Sequence, residues 1–167
     1  YYNLPVTYEV GDLMFGGVIT SIDGSGYHGR VAVEPAYYSA PMYWSTDLSN
    51  TTSYDPEHTS PHSQDYDGRN NTIRILDFYI DSDKSPLAAE YASNLNINGY
   101  DDWYLPTLRE ITIIEDVIDI SEIAVWSCIE AGDDQVWAHQ VRLGHSHSNT
   151  MKHDTYHGPV TIPIRRF

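Results

Sequence analysis

Residues 144–158, GHSHSNTMKHDTYHG, hold four histidines in fifteen positions, His145, His147, His153 and His157. His145 and His147 are two apart. On an extended segment, residues two apart project to the same side, a geometry that lets two neutral imidazoles chelate one transition-metal ion. Copies of the pair around a threefold axis would complete an octahedron. Without a metal, the same stretch is a polar loop suited to contacting a ligand. Asn149, Lys152, His153, Tyr156 and His157 extend the patch, and Arg142 lies on the strand that leads into it. Two-residue motifs are common by chance, so both readings stand. The expected ligand-contacting set is Arg142, His145, His147, Asn149, Lys152, His153, Tyr156 and His157, with His145 and His147 as the metal pair. Apart from a His-bound transition metal, no cofactor is expected.

The elements before this loop must position it. Residues 123–129 and 135–143 read as a hairpin around Ala131-Gly132-Asp133-Asp134. On its second arm Trp137, His139, Val141 and Leu143 share one face, while Ala138, Gln140 and Arg142 share the other. His139 is therefore expected on the packed side. Cys128, alone in the chain, excludes an intrachain disulfide and reads as a small buried apolar residue of the first arm.

Upstream, residues 99–110 (GYDDWYLPTLRE) form a turn, a short strand and an abrupt helix start. Trp103 and Leu105 alternate with Tyr104, as in a strand with one covered face. Pro106 cannot extend a ladder. Thr107 and Glu110 make a T-x-x-E capping box, and Leu108, Ile111, Ile114 and Val117 follow at helical spacing. Ser85 caps an earlier helix with Pro86 at its first position and Leu87, Ala88, Tyr91 and Leu95 as the buried stripe. Residues 72–80 (TIRILDFYI), dense in β-branched and aromatic side chains, read as a strand, and Asp81-Ser82-Asp83-Lys84 as a turn. Residues 6–33 read as a hairpin. Val18, Ile19 and Ile22 lie on one arm, Val31-Ala32-Val33 on the other, and Asp23-Gly24-Ser25-Gly26 between them; His28 packs at the turn.

Between these elements a polar insertion, about 45–71, lacks hydrophobic periodicity, and a loop of this length is functional or disordered. Its Asp55, Glu57, His58, His62, Asp65 and Asp67 have no fixed ligand spacing, so a solvated loop is expected. Tyrosines would pin it if it is ordered.

The 167 residues are enough for one domain with a substantial core, or a domain plus an insertion, and the initial tyrosine reads as a fragment of a larger chain. A net charge of −15, from 24 acidic and 9 basic residues, disfavours nucleic acid, heparin-like glycans and anionic membranes as general partners. No apolar run is long enough to insert into a bilayer. Fourteen tyrosines and four tryptophans suit a contact surface, because large rings provide area at low entropic cost.

Taken in order, these pieces resemble a known family. GYDDWYLPTLREI resembles the G-x-x-DWrLPT-x-x-EL signature of the C-type-lectin-like domains at the C-terminus of collagen-like bacterial adhesins. Related domains occur in other bacterial surface proteins and in phage tail and fibre proteins. Gly11-Asp12, Gly16-Gly17-Val18-Ile19 and Asp23-Gly24-Ser25-Gly26-Tyr27-His28-Gly29 resemble the family's opening hairpin. Val125-Trp126-Ser127-Cys128-Ile129-Glu130 is similar to YWSSTE, and Val136-Trp137, with Gly144 after Leu143, to aW-v-f-G. Ile162-Pro163-Ile164-Arg165-Arg166-Phe167 resembles the closing vRaVRaF, without its earlier arginine. Residues 40–75 match nothing in the family. The His-x-His pair separately resembles a metal motif in the tips of some trimeric phage tail fibres of a different fold.

The resemblance implies an α+β fold with two helices packed on small antiparallel sheets. The N- and C-terminal strands would be paired, with residues 160–164 returning beside the opening strand. It implies a non-enzymatic receptor-binding domain, recognising a cell-surface glycan or protein, as a homotrimer on a phage tail fibre or virion. The alternatives are a structural or decoration component and a bacterial surface adhesin. Enzyme inventories point the same way. The chain has no G-x-S-x-G elbow, phosphate-binding glycine loop or H-E-x-x-H. The sulfatase-activating enzymes of this fold use two cysteines. Calcium-dependent sugar binding is not expected, since Glu34-Pro35 is followed by Ala36, which lacks an oxygen ligand.

Overall fold

The computed structural model describes residues 7–46, 67–132, 135–139, 147–151 and 158–167. They form a mixed α+β structure with two antiparallel sheets and, among the described residues, three α-helices rather than two.

The first sheet has the order β1-β2-β3-β7: β1 (Leu13–Met14), β2 (Gly17–Ile22), β3 (Gly29–Ala32) and β7 (Ile164–Arg166). The expected opening hairpin is β2–β3, with a bulge between Ile19 and Ser21. Asp23 closes its turn, accepting the Ser25 N–H at 2.9 Å. Two residues join β1 to β2, Phe15 (φ 55°) and Gly16 (φ 89°), and positive φ at both is what a type I′ turn requires. A left-handed phenylalanine costs about 1 kcal/mol. Its ring offsets that by stacking on Phe167, centroids 4.4 Å apart, with Tyr8 edge-on to both.

The closing strand corrects an expectation. β7 pairs not with the opening strand but with β3, Arg30 facing Arg166 and Ala32 facing Ile164. The opening and closing segments meet through the Tyr8, Phe15 and Phe167 rings instead of a ladder.

The second sheet, β4-β5-β6, comprises β4 (Val125–Gly132), β5 (Gln135–His139) and β6 (His147–Met151). The β4–β5 hairpin was legible in the sequence, and the face of β5 opposite the one expected to pack is packed. Val136 and Ala138 are fully buried, and period-2 alternation sets them apart from the expected Trp137 and His139. The side chain of His139 lies outside the described residues. β6 corrects a second expectation, because residues 147–151 of the supposed loop form a strand against β5. Cys128 is buried and free, as expected, and its sulfur accepts the Asn71 amide at 3.4 Å.

α1 (Gly68–Tyr79) replaces the strand expected over 72–80. Gly68, Asn71, Thr72, Ile75 and Tyr79 are its buried residues, a 3–4 spacing, and Asp67 caps it by accepting the Asn70 N–H. Ile73, Phe78 and Ile80 stay exposed. Apolar residues around the whole circumference hid the helical period. α1 also begins inside the expected 45–71 insertion, of which residues 47–66 lie outside the described residues. In α2 (Leu87–Ser93) the cap residue is Pro86, without a side-chain cap bond, rather than Ser85. Its buried stripe is Ala88, Ala89 and Ala92, whose small side chains allow close approach, while Leu87, Tyr91 and Leu95 are only partly covered.

α3 (Leu108–Glu115) starts with the expected capping box: Glu110 N–H to Thr107 Oγ1 and Thr107 N–H to Glu110 Oε2, both 3.1 Å. The stretch before it joins the two sheets. Tyr104 exchanges backbone hydrogen bonds with Ile164 of β7, and Pro106 accepts the Cys128 N–H of β4 at 2.8 Å. Trp103, Tyr104 and Leu105 are all buried, so this is a core segment covered on both faces rather than a half-exposed strand.

Residues 39–46 run across the apolar cluster of Trp44, Ile75, Tyr79, Trp126 and Cys128 without being a strand. Ser39 and Met42 donate to Thr161 and Pro159, Thr46 donates to Ser85, and Trp44 accepts from Ala88. Trp44 Nε1 donates to Ser127 O and Trp126 Nε1 to Met42 O, each at 2.9 Å. Both indoles are buried.

Candidate functional site

Of the residues expected to contact a ligand, Arg142, His145, Lys152, His153, Tyr156 and His157 lie outside the described residues. His147 and Asn149 are placed by their backbone in β6, the outer strand of its sheet, where His147 pairs with His139 and Asn149 with Trp137. The strand holds both at fixed register on β5. Among the described residues no group of three or more His, Cys, Asp or Glu is placed to hold a metal ion. No helix there is long and apolar enough to cross a membrane.

The structure brings together a second constellation that the sequence did not announce. Glu110, 1% exposed, accepts Arg30 Nε at 3.0 Å and the Tyr104 hydroxyl at 2.9 Å on Oε1, and the Thr107 N–H on Oε2. A Cβ on Gly68 would stand 2.4 Å from Oε2, so only glycine lets α1 approach this carboxylate. Arg166 Nη2 donates to Asp67 Oδ1 at 3.3 Å, so one carboxylate both caps α1 and ties it to β7. Burial opposes the Arg166 charge, but Tyr104, Asp67 and Glu110 hold its pKa above the usual value.

Beside this network a cavity of about 540 Å³ is lined by Asp23, His28, Gly29, Arg30, Arg166 and Phe167. His28, expected to pack at the turn, is exposed there. The Ser25 hydroxyl and N–H hold the Asp23 carboxyl below its ordinary pKa, and His28 adds to this. Arg165 points elsewhere. Its Nε and Nη2 engage both oxygens of Asp102, and its guanidinium lies 4.3 Å from the Tyr100 ring centroid, a structural clamp.

Tyr104 carries a pH dependence. Burial first, and then the Glu110 carboxylate, push its phenol well above the ordinary value of 10.0. Below pH 10 the phenol is neutral in folded and unfolded chains, and its contribution is complete. Above it the unfolded chain releases a proton that the folded chain retains, so stability falls as pH rises. Melting temperatures taken from pH 9 upward are expected to decline, and to decline less steeply in Tyr104→Phe. Parallel slopes would assign the effect to other tyrosines.

Sequence reasoning missed this cluster because each member had a local role. Glu110 read as a cap, His28 as a turn residue and Arg166 as part of a closing motif. Only the β3–β7 pairing sets Arg30 beside Arg166. Comparison with protein-family models and with curated proteins finds no match to this chain.

Proposed function

We propose that the chain is a non-enzymatic receptor-binding domain of C-type-lectin-like fold, carried as a homotrimer on a phage tail fibre or virion. It would recognise a cell-surface glycan or protein through the β5–β6 ribbon and the residues that follow it. The observation that carries this reading is β6. β6, of sequence His-Ser-Asn-Thr-Met, is the outer strand of its sheet, held in register on β5, and a sheet edge of polar sequence suits contact with a partner. The core joint at residues 99–110, which carries the family resemblance, supports the fold assignment. A bacterial surface adhesin would use the same surface. Copies side by side would offset a weak single site by avidity.

A second reading, an assembly component, draws on a different observation. Val10, Leu13 and Met14 expose 51%, 62% and 40% of their surface at the β1 edge of the first sheet. An apolar sheet edge suits burial against another chain.

Binding to intact candidate host cells separates the two. The wild-type domain is compared with a variant carrying alanine at positions 145, 147, 153 and 156, after both show equal melting temperature and oligomeric state. Binding by wild type alone is the expected result. Self-association without cell binding by either protein would favour the assembly component.

A further inference from the structure

We propose that the cavity between the β2–β3 turn and β7 binds a carboxylate-bearing saccharide unit. This stands apart from the receptor reading above, because the cavity lies on the first sheet and His147 and Asn149 on the second.

The donor set is the starting point. Glu110 takes only Nε of Arg30, so Nη1 and Nη2 have no partner among the described residues, and the side chain is 29% exposed at the cavity. Glu110 is itself fixed by the Thr107 N–H and the Tyr104 hydroxyl. The Arg30 fork is thus oriented before any ligand arrives, and a planar fork of N–H donors matches a carboxylate. Arg166, its direct partner across the β3–β7 ladder, lines the same cavity. Like charges facing each other across strands are unfavourable, and here Glu110 and Asp67 offset them. Recognition would therefore rest on directed donors rather than on excess positive charge.

The rest of the lining suits a sugar better than a bare anion. Asp23, kept ionised by Ser25, accepts hydroxyl hydrogens, and His28 offers a second polar contact. Phe167, its ring stacked on Phe15, supplies an apolar contact for a pyranose ring at the cavity wall. A simple oxyanion would be repelled by Asp23, whereas a uronic or nonulosonic acid presents a carboxylate at one end and hydroxyls at the other. A cavity of about 540 Å³ has room for one such unit with water.

The test is titration of the isotopically labelled 167-residue chain, followed by the amide signals of Gly29, Arg30 and Phe167. The probes are methyl glucuronide, the methyl glycoside of N-acetylneuraminic acid, neutral methyl glucoside and sodium sulfate. At least one acidic glycoside is expected to shift these signals at millimolar concentration, well ahead of the glucoside and of sulfate. Arg166→Gln, at a half-exposed side chain, and His28→Ala keep Glu110 paired and are checked for an unchanged fold. Arg166→Gln is expected to weaken the acidic glycoside about tenfold or more, the loss of a charge-assisted contact. Equal shifts from sulfate, equal shifts from the neutral glucoside, no shifts at all, or an unchanged affinity in Arg166→Gln would each overturn the proposal.

Discussion

Glu110→Ala is expected to lower the free energy of unfolding by about 3 kcal/mol, without changing the slope of the denaturant transition. Three losses overlap in this change. The α3 capping box opens, a cost of about 1 kcal/mol. The buried Tyr104 hydroxyl loses its acceptor, a cost of about 1–3 kcal/mol. Arg30 loses its counter-ion. Breaking a fully buried pair costs about 3–5 kcal/mol, but Arg30 is 29% exposed and partly solvated, which places the expected total near the bottom of that range. Glu110→Gln keeps the shape and one acceptor and is expected to lose about half as much. Coupling to Arg30 is measured by a double-mutant cycle with Arg30→Ala. A loss below about 1 kcal/mol in Glu110→Ala would mean that the network follows from the fold and does little to hold it.

Trp44→Ala is expected to cost about 3–5 kcal/mol, the range for deleting a large aromatic from a core. The indole is 1% exposed in the cluster that contains Ile75, Tyr79, Trp126 and Cys128. Its N–H is the donor to Ser127 O of β4, so alanine leaves a cavity and removes that donor together. Trp44→Phe separates the two effects, with about 1–2 kcal/mol expected for the lost N–H and the small volume change. Amide exchange gives the sharper measurement. The Thr46 and Ala88 amides, bonded to Ser85 and Trp44, are expected to lose protection in Trp44→Ala ahead of those in β2 and β3. Uniform acceleration across both sheets would show that residues 39–46 do not form a separate stitch.

What could be read from the sequence follows the range of the interactions involved. The capping box at Thr107 and Glu110 and the turn at residues 23–26 are settled by neighbours a few positions apart, and both stand as expected. The same is true of the β4–β5 hairpin. α1 was missed because Ile73, Phe78 and Ile80 stay apolar and exposed, so the buried 3–4 spacing did not stand out. Alternation gives β5 two faces without saying which meets the core, and burial of Ala138 on the face expected to be the outer one was not foreseeable from it. The β3–β7 pairing lay beyond local reasoning, since nothing near Arg30 specifies a partner at Arg166. The cavity those residues line could not be anticipated for the same reason, whereas the His-x-His stretch, being contiguous, was conspicuous from the start.

The place of β7 has a consequence for how the chain is made. β3 receives its outer neighbour from the last residues described, Ile164–Arg166, so during synthesis the β2–β3 hairpin emerges from the ribosome long before its partner. Until then the β3 edge, with Val31 and Ala32 destined for full burial, is an open template for a neighbouring nascent chain. Pairing across nearly the whole sequence is also slow to form. Until β7 emerges the early hairpin is an unfinished sheet, and crowding of nascent chains on a polysome is expected to lower the yield of folded protein.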